Sequence, residues 1–265
     1  MEIAEIKRIK ACLNGKRSAA DHPAVPVTAV QLAAAAAAAV AAGAEAVHVH
    51  PRDSAGEQSL RAADVGAAVA AIRAACPVAT PVGVTTGLWA AADARARQQQ
   101  VAAWAELDDL HRPDFASVNL SEEGWPELTE TLAAAGIRPE AGVWSVDDAD
   151  ALGGYEPDGG WLRILVEIMG VPGAEAPAAA DRVLARIRQA GLDLPVVVHG
   201  EDAGCWPLIE HAGRLGLAVR IGLEDVLTDR AGHPVGDNAE LVRLALGVWS
   251  DAASSGADGG AASAR

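Results

Sequence analysis

The chain has 265 residues, 51% of them hydrophobic, enough to bury the core of one large α/β domain or of two small ones. Its formal net charge of −15 excludes a general nucleic-acid binder, because counterion release needs a basic surface; an anionic ligand must meet locally placed arginines or helix N-termini. Cys12, Cys76 and Cys205 are widely spaced and form no C-x-x-C pair, so reduced thiols are expected. The N-terminal residues lack the basic and apolar regions of a secretory signal, and the run Ala33 to Ala39 is too short to span a bilayer. A soluble cytoplasmic protein with no membrane partner is the expectation.

Short apolar segments recur every 20 to 35 residues or so, each followed by a helix-like stretch. Strands are predicted over Ile9 to Leu13, Ala46 to His50, Val82 to Thr85 and Phe115 to Leu120. Four more are predicted over Ala141 to Ser145, Leu162 to Glu167, Pro195 to His199 and Ala218 to Leu223. Between them, Thr28 is placed to cap an alanine-rich helix ending near Gly43, and a polar helix is predicted around Arg95 to Asp109. Later helices are predicted from Pro177 to Ala190, Gly204 to Leu215 and Asn238 to Ser250. Eight alternating units without an internal boundary predict a single (β/α)8 TIM barrel over residues 1–250. A doubly wound sheet is the weaker alternative, since no G-x-G-x-x-G follows the first strand. The Ala, Ser, Gly and Asp residues of 251–265 predict a disordered tail.

Barrel chemistry gathers at the C-terminal ends of the strands. Here those ends carry Asn14, His48, His50, Thr85, Thr86, Asn119, Glu167, His199, Glu224 and Asp225. Residues two apart in a strand share a face, so His48 and His50 converge on one point. A bare His-x-His fits half of a divalent metal site, zinc first, and fits two hydrogen-bonded core histidines equally well. In the last strand Arg220, Gly222 and Glu224 share a face, and Glu224 at the mouth would complete a His48–His50–Glu224 set with a position left open for substrate. A surface salt bridge is the plainer reading of Glu224, and the facing histidines favour the ligand. Asp225 falls on the opposite face from Arg220 in a strict strand, so their pairing requires the chain to bend.

Asn14-Gly15, His22-Pro23-Ala24-Val25-Pro26-Val27-Thr28, His48-Val49-His50-Pro51-Arg52-Asp53, Arg220-Ile221-Gly222-Leu223-Glu224-Asp225 and Asn238-Ala239-Glu240-Leu241-Val242 together resemble the β-keto acid cleavage enzymes. The archetype of that family is 3-keto-5-aminohexanoate cleavage enzyme, and the resemblance runs from about residue 8 to residue 248. It implies a barrel with catalytic zinc (Zn2+) that converts a β-keto acid and acetyl-CoA, its co-substrate, into acetoacetate and a new acyl-CoA. It further implies a homo-oligomer, dimer or tetramer. By motif, His48, His50 and Glu224 would be the zinc ligands, and Arg220 and Asp225 the catalytic pair. Thr85, beside Thr86, stands where the archetype has an active-site serine, and Asn119 stands near an active-site threonine.

Where the archetype has a glutamate that meets its substrate's amine, this chain has Asn14-Gly15-Lys16-Arg17. An arginine there would repel an ammonium group, so Arg17 predicts a neutral or anionic substrate tail; a rim position in which Lys16 and Arg17 meet CoA phosphates is the other reading. His199 is expected to support the site from beside it, with Glu201 placed to orient it, and Glu140 and Glu167 are further candidates. Trp144 and Trp206 are candidates to line a pocket, with core packing as the plainer reading. The rivals are a zinc-dependent aldolase or lyase, or an amidohydrolase-like hydrolase, neither using CoA. The hydrolase is disfavoured because the histidine pair ends the second strand and no later strand contains lysine. Lys10, inside the first strand, likewise disfavours a Schiff-base aldolase.

Overall fold

The structure, a computed structural model, describes residues 3–262, with side chains described as far as residue 255. Eight parallel strands close into a barrel in chain order. They are β1 (Ile9–Cys12), β2 (Ala46–Val49), β3 (Val82–Thr85), β4 (Phe115–Asn119), β5 (Arg138–Val143), β6 (Arg163–Ile168), β7 (Val196–Gly200) and β8 (Ala218–Ile221). The helices between and after them are α1 (Ala29–Ala41), α2 (Ala62–Ala75), α3 (Ala94–Ala102), α4 (Trp125–Ala134), α5 (Val146–Gly153), α6 (Ala176–Gln189), α7 (Cys205–Leu215) and α8 (Asn238–Ala262). This is the (β/α)8 TIM barrel that the alternation predicts. No helix among the described residues is long and apolar enough to cross a membrane.

Local chemistry accounts for the boundaries. Thr28 caps α1 as expected, and Gln31 returns the bond to complete a capping box. β5 lies earlier than its predicted span, because Arg138 to Gly142 pair in register with Phe115 to Asn119 of β4. Ser145, expected at the strand end, instead caps α5. The polar helix predicted to Asp109 breaks after Ala102 into a 3-10 turn over Ala103–Glu106. That turn carries Trp104 into the core, where its indole N–H donates to the Leu60 carbonyl at 2.8 Å. The segment expected to be a disordered tail from residue 251 continues α8 to Ala262, and Ala252 is buried where the glycine of Gly213 lets α7 come close. Residues 263–265 lie outside the described residues.

The barrel interior is graded. Ala46, Phe115, Leu165, Val197 and Ala218 pack into an apolar cluster with Ile6. A fully enclosed ion cluster packs beside it, with Arg163 two residues before Leu165 on β6. Lys10 Nζ donates to Glu140 Oε2 and Arg163 Nε to Glu140 Oε1, both at 2.6 Å. Burial raises the Glu140 pKa, but the two cations outweigh it and hold the group at about 2. His48, Glu167, His199 and Arg220, each two residues beyond Ala46, Leu165, Val197 and Ala218 of the apolar cluster, lie on the same faces nearer the C-terminal mouth, all buried. The larger apolar core lies between the barrel and its helices. Cys12 and Cys205 are buried free thiols, and burial raises both well above the ordinary thiol range, away from the reactive thiolate.

Candidate active site

The site is assembled from the ends of β2 and β8. Asn14 fixes the β2 end through backbone alone: its Oδ1 accepts from His50 N–H at 2.9 Å, and its Nδ2 donates to the carbonyls of His50 and Pro26. β8 ends at Ile221, and Gly222 lets the next turn close against β1, since a Cβ there would stand 1.7 Å from the Cys12 carbonyl oxygen. The Asp225 N–H donates back to the Gly222 carbonyl at 2.9 Å. This is the bend that Arg220–Asp225 pairing requires: Arg220 donates to Asp225 Oδ1 at 2.6 Å and to Glu224 Oε1 at 2.6 Å. Gly15, with φ +54°, leaves the space that the Glu224 side chain fills.

One donor atom each from His48, His50 and Glu224 lies within 4.8 Å of the others, close enough to hold a single metal ion. Two imidazoles and a carboxylate are a donor set suited to zinc. Buried polar atoms are normally hydrogen-bonded. Here His48 Nδ1, Glu224 Oε2 and Asp225 Oδ2 are buried without a partner. Burial pulls the His48 pKa down to about 3, which keeps its imidazole neutral, as a metal ligand must be. Burial also disfavours ionised Glu224 and Asp225, but Arg220 outweighs it and holds both below the usual carboxylate range.

His199 sits between two carboxylates, with Nδ1 3.1 Å from Glu167 Oε2 and Nε2 3.0 Å from Asp225 Oδ1. Burial and Arg220 act to lower its pKa; Asp225 and Glu167 overcome them, so it titrates above the ordinary histidine value. A cavity of about 250 Å³ opens over this cluster. His48, His50, Thr85, Asn119, His199, Arg220, Glu224 and Asp225 all line it. Of the weaker candidates, Glu167, Glu201 and Trp144 line it too.

Other expected site residues lie elsewhere. Thr86 donates to the Ser117 carbonyl at 2.5 Å, and Asn14 is spent on backbone. Glu140 belongs to the enclosed ion cluster, because the early start of β5 makes it a mid-strand residue facing inward. Arg17 turns away from the cavity: it donates to the Glu224 carbonyl at 3.2 Å and pairs with Asp202 at 2.7 Å. Neighbouring Lys16 faces the cavity, 3.3 Å from Glu201. Trp206 donates its N–H to the Thr228 carbonyl and lies outside the cavity.

Sequence reasoning missed Trp89, Ser117 and Met169 in the lining, and Gln58 behind it; Lys16, expected with Arg17 at the rim, lines the cavity. Ser117 had a readable signal, since it shares a face with Asn119 on β4. Gln58 and Trp89 had none; turns bring them in.

The chain matches the sequence profile of the beta-keto acid cleavage enzyme over residues 8–257. No curated protein sequence matches it. Similar solved structures include a binary complex of ObcA with oxaloacetate, at 18% identity and TM-score 0.68, covering 85% of this chain and 63% of that one. A ternary complex of ObcA with a C4-CoA adduct and oxalate gives 17% identity and TM-score 0.67, with the same coverage. Type I 3-dehydroquinate dehydratase from Clostridium difficile is similar at 9% identity and TM-score 0.64, covering 96% of this chain and 95% of that one. At such identities these likenesses show the fold, and the chain spans about 63% of the length of the ObcA chains. The match over residues 8–257 shows that the chain belongs to the beta-keto acid cleavage enzyme family.

Proposed function

We propose that the chain is a zinc-dependent enzyme that condenses a β-keto acid with acetyl-CoA and cleaves the C2–C3 bond, giving acetoacetate and a new acyl-CoA. The observation that carries this reading is the convergence of His48, His50 and Glu224 beside an aspartate held by Arg220, with unpartnered atoms on His48, Glu224 and Asp225. A zinc ion held by those three residues would act as a Lewis acid toward the keto and carboxylate oxygens of the substrate and acidify C2.

The chain's own groups account for the rest. Arg220 occupies Asp225 Oδ1 and leaves Oδ2 free to take a C2 proton. The substrate carbanion attacks the acetyl-CoA carbonyl, and CoA thiolate leaves. Thiolate then adds to the original keto carbon, and C2–C3 cleavage gives the acyl-CoA. Asp225 returns the proton to C2 of the released acetoacetate. Thr85 and Asn119, facing the cavity, are placed to donate to the substrate carboxylate or a developing oxyanion. His199, on the cavity wall beside Glu167, places its Nε2 3.0 Å from Asp225 and steadies the aspartate.

The tail of the substrate is neutral or anionic. Arg17 does not support this directly, since it points elsewhere; the pairing of the lining acids does. Glu167 takes Trp144 on one oxygen and His199 and Arg220 on the other, and Glu201 pairs with Lys16. Each therefore already faces a protein cation, which weakens its attraction for an ammonium group. We further infer a cytoplasmic homo-oligomer, a state that the family resemblance supports.

The test is to incubate the zinc-loaded protein with a panel of β-keto acids and acetyl-CoA labelled at its carbonyl carbon. The label should appear at C3 of acetoacetate, with neutral or dicarboxylic substrates turned over faster than 3-keto-5-aminohexanoate. Preference for the amino substrate would overturn the tail assignment. Unlabelled products formed without CoA would favour an aldolase, lyase or hydrolase instead.

A further inference from the structure

We propose that Gln58 and Trp89 form a relay that selects the tautomer of His50 and so aims its Nε2 at the metal position. The inference rests on the metal reading above. It starts in the sequence segment after the histidines. Arg52 donates to the carbonyls of Gly15 and Arg17 at 2.6 and 2.9 Å, and Asp53 Oδ1 accepts from the N–H groups of Ala55 and Glu57. These bonds build a tight hairpin in which Gln58 pairs with Arg52, returning the Gln58 side chain to the imidazole from which the chain departed.

Gln58 Oε1 lies 2.6 Å from His50 Nδ1 and accepts from Trp89 Nε1 at 3.1 Å. An indole N–H can only donate, so Trp89 rejects the amide orientation that would present the Gln58 NH2 group. With the oxygen fixed in place, His50 must carry its proton on Nδ1. Its Nε2 keeps a lone pair and stands 3.4 Å from Glu224 Oε1, inside the proposed ligand set. Trp89 is itself held: its ring lies nearly parallel to that of His50, 14° apart at 6.4 Å, and folds over Gly87, where any side chain would clash with the indole. Trp89 is 54% exposed and lines the cavity, an otherwise costly place for a large aromatic surface.

The relay makes a non-additive prediction. Gln58→Leu should weaken zinc binding, measured by chelator competition, about 10- to 100-fold. Gln58→Glu should restore it, because a carboxylate offers only acceptors to both donors. Trp89→Phe should weaken zinc binding in the parent, where the amide is then free to flip, and have no effect in the Gln58→Glu background. A folded Gln58→Leu protein binding zinc as tightly as the parent would overturn the proposal. So would an equal effect of Trp89→Phe in both backgrounds. In the metal-free parent, 15N NMR should show His50 protonated at Nδ1; an Nε2–H tautomer there would overturn the relay whatever the zinc result. A parent with that tautomer but no zinc affinity would overturn the metal reading instead.

Discussion

The barrel holds two buried charged clusters, with Leu165 between Arg163 of one and Glu167 of the other on β6, and they are built on different terms. In the lower one, Glu140 is enclosed and both of its oxygens are taken, by Lys10 and by Arg163. In the upper one, Arg220 is shared among Glu167, Glu224 and Asp225, and atoms of His48, Glu224 and Asp225 are left without partners beneath a cavity. In the lower cluster both carboxylate oxygens are compensated; one terminal nitrogen of Arg163 lacks a partner, but it is a cation's donor and the cluster does not line the cavity. The upper one leaves buried polar atoms uncompensated, which costs stability unless a ligand supplies the missing partner. On the proposed reading, chemistry sits where unpartnered ligand and acceptor atoms face a cavity, and the amount of buried charge alone does not reveal it.

Three substitutions test that contrast, beginning with the largest effect. Asp225→Asn should lower kcat about 10²- to 10⁴-fold, the range for loss of a general base, while zinc remains bound; unchanged kcat would remove Asp225 from the proton transfer. Glu140→Gln leaves Lys10 and Arg163 facing a neutral amide in a sealed interior, and should cost about 3–5 kcal/mol in denaturant unfolding. Glu224→Gln should cost less, because Arg220 retains Asp225 and Glu167; equal costs would erase the distinction between the clusters.

The effect that is smallest per step is a pH slope. The His48 pKa is about 3 in the folded chain, against an ordinary value of 6.5 when unfolded. Between those values the unfolded chain binds a proton that the folded chain does not, so acidification favours unfolding. Metal-free protein should lose about 1.4 kcal/mol per pH unit from this group as pH falls from 6.5 toward 3, and His48→Gln should remove that part of the slope. His199 works in the opposite sense: its raised pKa contributes stability below the ordinary histidine value, lost as pH rises through the folded one. An unchanged slope in His48→Gln would contradict the buried neutral imidazole.

The barrel was legible because eight apolar segments recur with a helix after each, and the convergence of His48 and His50 because a period of two puts both on one face. Glu224 reaches them from the turn after β8, which ends at Ile221, two residues before its expected end. The Arg220–Asp225 bend was legible as a requirement, and Gly222 is the residue that permits it. Arg17 shows the limit. Its place after β1 is readable, but the direction of its side chain is set by Asp202 and the Glu224 carbonyl, 185 and 207 residues away in the chain. Glu140 was misplaced by a strand boundary alone. Gln58 and Trp89 leave no mark in the pattern, because what brings them together is a hairpin closed by Arg52 and Asp53 and a 3-10 turn over Leu88–Ala90.

The most direct measurement is zinc stoichiometry with rate, taken on the same preparations of the parent, His48→Ala and Glu140→Gln. The parent should bind one zinc per chain and form acetoacetate, Glu140→Gln should do both while it stays folded, and His48→Ala should lose both. Zinc retained with full activity in His48→Ala would contradict the assignment of the upper cluster as the catalytic metal site.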